Sequence, residues 1–178
     1  MNISDGLTIR RAVHADARAI ARVHVDSWQT TYRGIVPEDY LKTLTYEERE
    51  KKWDRVITDP SNHTFLAEAA SGIIGFANGG RNRGDESDFA GELYAIYLLQ
   101  THQQQGLGRR LTLTIAKELH QEGMRSMIVW VLRNNPACEF YRKLGGKQVA
   151  SKLIVLGSAT LEEVAYGWLD TGELVRGA

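Results

Sequence analysis

The nearly continuous apolar run from Glu92 to Leu99 is followed within a few residues by Gln103-Gln104-Gln105-Gly106-Leu107-Gly108-Arg109, which opens a helix-patterned segment, Arg109 to Glu122. A strand that passes through a glycine turn into a helix leaves several backbone N–H groups without intrahelical partners and points the positive end of the helix dipole at the same place. Such a turn receives a phosphate or pyrophosphate. Glycine lets the backbone approach the anion and takes up positive φ at little cost. Leu107, Leu111, Ile115 and Leu119 recur at i,i+4 and predict one buried helix face, with Gly123 ending the helix.

The remaining elements can be read around this unit. Leu7 to Val13 reads as a first strand, with His14 or Asp16 near the start of the next helix. Ala17, Ile20, Ala21, Val23 and His24 share a face at helical spacing, and Trp28, Tyr32 and Arg33-Gly34 end that segment. Val36-Pro37-Glu38 starts another helix, and Tyr46 to Ile57 continues with Glu47/Lys51 and Glu48/Lys52 as predicted i,i+4 pairs. After the breaker Asp59-Pro60-Ser61-Asn62, Thr64 to Ala70 and Ile73 to Asn78 form a hairpin around Ser71-Gly72, and Arg81 to Asp88 is a polar surface loop. Ser126 to Leu132 is apolar on both faces, as a central strand requires. Asn134-Asn135-Pro136 opens a short helix that runs through Leu144, and Lys147 to Leu156 and Glu162 to Leu169 are the last two strands. No repeat or composition shift marks a second domain, so residues 1–178 read as one α/β domain.

Composition excludes several classes of function. Lys plus Arg and Asp plus Glu are equal at 22 each, so no basic field is available for nucleic acid or an anionic membrane. The N-terminus lacks a signal-peptide pattern, and the apolar runs fall far short of the roughly 20 residues that span a bilayer. A cytoplasmic location is the expectation. The one cysteine, Cys138, excludes an internal disulfide and a cysteine-based zinc cluster, and the five histidines show no metal spacing. No metal is expected.

Two familiar phosphate loops do not fit the glycine turn. A dinucleotide fold needs a third glycine where Leu111 stands and an early position in the chain, and a nucleotide-hydrolase loop needs a Gly-Lys-Ser/Thr ending that is absent. What remains is Gln103-x-x-Gly106-x-Gly108, then a helix, a buried strand, Asn134-x-x-Ala137-x-x-x-Tyr141, and Leu144-Gly145. In that order and spacing the chain resembles the GNAT superfamily of acyl-CoA-dependent N-acetyltransferases, from Ile9-Arg10 to Tyr166-Gly167-Trp168. The resemblance implies an α/β fold with a mixed, mostly antiparallel central sheet of about six to seven strands flanked by helices. It also implies acetyl-CoA as the acyl donor, a primary amine of a small molecule or peptide as acceptor, and a homodimer in many relatives. A non-catalytic acyl-CoA-binding regulatory domain is the alternative.

The resemblance assigns roles residue by residue. Backbone groups of Ile96, Tyr97 and Leu98 would pair with the pantetheine arm, and one N–H would stabilise the thioester oxyanion. Gln103, Gln104, Gln105, Gly106, Leu107, Gly108 and Arg109 would hold the pyrophosphate, and Asn134 the pantetheine, with Asn135 as a helix cap. An alkyl amine is mostly protonated at neutral pH, so a general base helps. Glu92, fourteen residues ahead of Gly106, is that candidate, with a solvated strand-end charge as the other reading. Tyr141 is the candidate acid for the leaving thiolate, with a core aromatic as its other reading. Trp28, Tyr32 and Arg33 are candidate walls for the acceptor, and the acidic loop at Asp85, Glu86 and Asp88 could attract a cation. Cys138 reads as packing rather than as a nucleophile.

Overall fold

Strands join in the order β1-β2-β3-β4-β5-β7-β6 in one sheet of seven. The computed structural model describes residues 6–176. The strands are β1 (Thr8–Arg11), β2 (Asn62–Ala69), β3 (Gly72–Arg81), β4 (Gly91–Leu98), β5 (Met127–Leu132), β6 (Lys147–Leu156) and β7 (Ala159–Trp168). The helices are α1 (Ala17–Thr31), α2 (Glu38–Lys42), α3 (Tyr46–Thr58), α4 (Leu107–Gln121), α5 (Ala137–Lys143) and α6 (Thr171–Arg176). Neighbouring strands are antiparallel except β4 and β5, which run parallel with α4 as their crossover.

Each face of the sheet has its own apolar layer. On one side α4 presses Leu107, Leu111, Ile115 and Leu119 onto Ala67, Ala77, Leu93, Met127 and Val129. Leu111, Ile115 and Leu119 are 0% exposed, and burying each contributes about 1.5–3 kcal/mol. On the other side α1 and α3 pack Ile20, Ala21, Val23 and Trp53 against Leu66 and Phe76. Alternate residues of β2 and β3 serve the two layers, as the two-residue period of a strand dictates. The entry to α1 is braced by Asp16, whose carboxylate accepts from the Val13 N–H at 2.8 Å and from both terminal nitrogens of Arg10. The Arg10 guanidinium holds that carboxyl below the usual range.

Some expectations shift. The glycine turn feeds α4 two residues earlier than the predicted start, and β7 begins at Ala159 rather than Glu162. The pairs Glu47/Lys51 and Glu48/Lys52 do not form ion pairs among the described residues. The short helix α6 has no counterpart in the sequence reading. It starts where the Thr171 N–H donates to the Arg125 carbonyl at 2.7 Å and packs Leu174 into the α4 layer, a tertiary contact with no local signature.

The sheet opens in its middle. A register shift in the β3–β4 ladder carries Asn78 opposite Ala95 but Gly79 opposite Leu93, so Tyr94 is an extra residue on β4. A bulge bends and twists the strand that carries it. β4 pairs with β5 only from Gly91↔Met127 to Leu93↔Val129 and then diverges. From Tyr94 onward β4 stays bonded to β3 through Leu98 while its other edge faces a cleft.

Candidate active site

The cleft between the diverging strands encloses about 850 Å³. That is the size of a small-molecule site. Its walls are Tyr94 to Leu98 of β4, Val129 to Val131 of β5, the turn before α4, and α5 with Phe140 and Tyr141. β4 contributes backbone here. Its cleft-side N–H and C=O groups lack a strand partner, and a strand edge of this kind accepts an extended ligand as one more strand. The Leu98 carbonyl is the exception, since it accepts from Ser27 Oγ at 3.2 Å and from Gln103 Nε2 at 3.1 Å.

The glycine turn has the geometry its sequence implied, with a different division of labour. Gln104 and Gly106 both take left-handed φ, 59° and 80°. The side chains of Gln103 and Gln105 fold inward, onto the carbonyls of Leu98 and Thr101. They shape the turn, and the N–H groups of the first turn of α4 are left to face the cleft mouth. Leu107 is buried in the α4 layer and contributes only its backbone. A Cβ on Gly108 would lie 3.3 Å from Phe140 and 3.7 Å from Leu98. The absence of a side chain there keeps α4, α5 and β4 close. The residues present fit a coenzyme with a pantetheine arm and a pyrophosphate.

Tyr141 stands where the strands part. It is 4% exposed, with Phe140, Tyr166 and Trp168 ring centroids 5.2, 6.0 and 6.2 Å away. Burial pushes its phenol well above the ordinary value, so it stays protonated at any physiological pH. Among the described residues no hydrogen bond engages its hydroxyl, which belongs to the cleft wall. Cys138, three residues earlier, is half-buried, and its Sγ lies 3.5 Å from the Leu132 and Arg133 carbonyls. Burial raises the thiol pKa, as suits packing and not nucleophilic attack.

Several predicted residues fall elsewhere. Asn134 is exposed and lines a small depression beside Ile35 and Glu162, away from the cleft. Its neighbour Asn135 lines the cleft, 7% exposed, and also caps α5 by accepting from the Ala137 N–H at 2.9 Å. Arg33 is exposed in the bridge to Val36 and does not reach the cleft. Tyr32 does reach it. Burial raises its phenol, and the neighbouring Tyr97 phenol raises it further. Trp28 packs behind it at 4.4 Å in an aromatic group with His24, Tyr40 and Tyr97. Asp85, Glu86 and Asp88 stay in a loop tied down by Asn82, which donates to the Glu86 and Phe89 carbonyls, and by Ser126, which donates to Asp88.

Glu92 lies on the paired stretch of β4, before the opening, and is absent from the cleft wall. Its side chain is 8% exposed and gripped by Arg83, through Nη2 at 2.7 Å, Nε at 3.2 Å and the Arg83 N–H at 3.1 Å. A second carboxylate that the sequence did not single out, Glu163 of β7, shares this face. Burial raises its pKa, and the charge of Glu92 raises it further, against Lys152 at 3.8 Å. Nothing local in Leu161-Glu162-Glu163-Val164 distinguishes Glu163 from its neighbour; the pairing with Leu132 across β5 and β7 sets the sheet face it takes. The fold also brings His63 between Glu118 and Glu122, which the histidine spacing did not foretell, and Arg11 occupies Glu118.

A bulged strand splayed from its parallel neighbour, with a glycine turn at the top and a buried tyrosine in the gap, defines an acyl-CoA-dependent transferase. The FR47-like protein family profile matches residues 85–155, the segment that holds the turn and Tyr141. An uncharacterized N-acetyltransferase, YuaI of Bacillus subtilis (strain 168), is 42% identical over 94% of this chain and 96% of its own length. A spermidine N(1)-acetyltransferase of Thermoplasma acidophilum is 28% identical over 79% of this chain and 88% of its own. The crystal structure of PaiA N-acetyltransferase from Thermoplasma acidophilum, in complex with coenzyme A, superposes with a TM-score of 0.72 at 25% identity, covering 88% of this chain and 97% of that one. The chain belongs to the GNAT superfamily and is an acetyl-CoA-dependent acetyltransferase acting on an amine. No helix among the described residues is long and apolar enough to cross a membrane.

Proposed function

We propose that the whole chain acts as one domain that moves an acetyl group from acetyl-CoA directly to a primary amine of a small molecule or peptide. The observation that carries this reading is Tyr141, buried, protonated and facing the gap between β4 and β5. The coenzyme supplies the acyl group as a thioester. The cleft-side backbone of Ile96, Tyr97 and Leu98 binds its arm, and one N–H there is placed to stabilise an oxyanion. The amides from Gln104 to Arg109 hold the pyrophosphate. Asn135 replaces Asn134 as the side chain that orients the arm. Tyr141 donates the proton to the leaving sulfur.

The proton of the acceptor ammonium leaves to the carboxylate pair Glu92 and Glu163, on the sheet face beside the cleft. Arg83 grips Glu92, so the proton resides on Glu163, whose affinity for it Glu92 raises by like-charge repulsion. Tyr32 walls the acceptor side, with Trp28 packed behind it. The reading is tested by thiol release from acetyl-CoA across an amine panel, for the wild type and for Tyr141→Phe. Release that is unchanged in Tyr141→Phe removes the tyrosine from the chemistry, and coenzyme binding without release from any amine removes the transferase reading.

A further inference from the structure

We propose that His63, Glu118 and Glu122 bind a late first-row divalent metal ion such as Zn²⁺, in exchange for the Arg11 guanidinium. His63 lies on β2, and the two glutamates stand four apart at the end of α4. One ligand atom from each of the three lies within 4.8 Å of the others. His63 Nε2 is 3.0 Å from Glu122 Oε2, and His63 Nδ1 is 3.8 Å from Glu118 Oε1. Two ligands on one zinc ion stand roughly 3.4 Å apart, given Zn–N and Zn–O bonds of about 2.0–2.2 Å. Small rotations of the glutamate side chains therefore close the set. The imidazole is buried and held by its strand, so one donor is fixed before any ion arrives. Imidazole with carboxylates suits zinc and its first-row neighbours, whereas magnesium and calcium take oxygen ligands.

The electrostatics of the cluster call for a cation. Glu118 and Glu122 are like charges at i,i+4, and they sit at the C-terminal end of α4, where the helix dipole is negative. Both arrangements cost stability. Arg11 relieves part of that cost. It donates through Nη2 to Glu118, and its Nη1 lies 3.4 Å from His63 Nδ1. A guanidinium can only donate, so that ring nitrogen presents its lone pair, as metal binding requires. One positive charge still leaves a pair of carboxylates half neutralised, and a dication completes the balance. Arg11 is free to give way: its side chain is 50% exposed, and its guanidinium carbon already lies 4.9 Å from the centre of the Phe65 ring. Glu118 is ten residues beyond Gly108, about 15 Å along the helix axis. The ion would thus clamp β2 to the end of α4 remote from the coenzyme turn, and its role is stability, apart from acetyl transfer.

The test uses the full-length protein stripped with a chelator, without coenzyme A, whose thiol and pyrophosphate would take the ion themselves. Calorimetry with Zn²⁺ should show one ion per chain, bound at least about tenfold more tightly than Mg²⁺ or Ca²⁺. At about a hundredfold excess over its Kd, Zn²⁺ should raise the melting temperature by about 5–10 °C. His63→Gln should weaken Zn²⁺ by at least about tenfold, since even the outer-shell partners of a metal are worth about 10- to 100-fold. Glu122→Gln, at an exposed position that leaves the core intact, should do the same. Arg11→Met should tighten Zn²⁺ by about two- to fivefold, the size of an exposed ion pair. His14→Gln, which removes the exposed His14–Asp54 pair, should leave the Kd within about twofold. Absence of Zn²⁺ binding, or binding that survives both His63→Gln and Glu122→Gln, overturns the site. Loss of binding in His14→Gln alone makes the ion adventitious and also overturns it. Mg²⁺ bound as tightly as Zn²⁺ overturns the class of metal, and weaker binding in Arg11→Met overturns the exchange.

Discussion

The two halves of the cleft are built from different material. The coenzyme half is made largely of main chain: the free edge of β4 after Leu93, the left-handed residues Gln104 and Gly106, and the first turn of α4. The half proposed for the acceptor is made of side chains that distant positions bring together, Tyr32 and Tyr97 in the wall with Trp28, His24 and Trp53 packed behind them. Main-chain recognition tolerates almost any side chain but needs particular φ angles and spacings, so it leaves a pattern in the sequence. Side-chain recognition needs particular residues but no particular local spacing, so it leaves none. One fold can thereby keep its donor and exchange its acceptor.

The largest expected effect falls where the halves meet. Tyr141→Phe removes only the hydroxyl from a wall the ring still fills, so the melting temperature should hold while kcat falls by about 10²–10⁴-fold, the range of general acid catalysis. A loss of stability instead of rate would make Tyr141 a core residue. Next in size is the carboxylate pair. Glu163→Gln should lower kcat/KM by about 10²-fold and abolish the acid limb of its pH profile. In Glu92→Gln that limb should move to lower pH, because the charge that raises the Glu163 pKa is gone. If Glu163→Gln kept a normal profile and Glu92→Gln lost it, the roles of the two carboxylates would be exchanged.

His24 sharpens the comparison from the side of stability. Burial, with Arg49 and Lys52 adding to it, lowers the His24 pKa to about 3, and its Nδ1 accepts the Trp53 proton, so the ring is neutral in the folded state. The unfolded chain binds a proton near pH 6.5 and the folded chain only near 3. The contribution is therefore complete above the unfolded value and is lost as pH falls through that window. The slope is about 1.4 kcal/mol per pH unit. Denaturant unfolding of the wild type between pH 6.5 and 5, above most carboxylate titration, should show this slope and His24→Asn should lack it. Equal slopes would place the ring in a solvated site and weaken the account of the acceptor half as a packed aromatic group.

The same division explains what the sequence disclosed. The turn, the i,i+4 stripe of α4 and the Asn134-to-Tyr141 segment are local, and they sufficed to define the family and the coenzyme side of the fold. Even there the reading stopped at spacing: Asn135 and not its neighbour faces the cleft, and Gln103 serves the Leu98 carbonyl. The bulge at Tyr94 and the partnership of Glu92 with Arg83 depend on strand register, which no short motif encodes. The place of Glu163 depends on which strands lie side by side. Arg33, by contrast, was singled out for its neighbours in sequence and lies outside the cleft.

The smallest effect tests the main-chain half where side chains matter least. At Gly106, with φ of 80°, a Cβ would meet nothing within 4 Å, so Gly106→Ala is opposed by backbone strain alone. A left-handed alanine costs about 1–2 kcal/mol, which the turn escapes by rotating its N–H groups away from the anion position. The expected result is a rise of about five- to thirtyfold in the Kd for coenzyme A, converted from that strain, with the acceptor KM unchanged. Gln105→Ala, which removes a side chain that among the described residues bonds to the Thr101 carbonyl alone, should change the coenzyme Kd by less than about threefold. Calorimetry with coenzyme A reads both variants. If Gln105→Ala were the more damaging, side chains would carry the pyrophosphate, and the contrast between the two halves would fail at the turn where it is strongest.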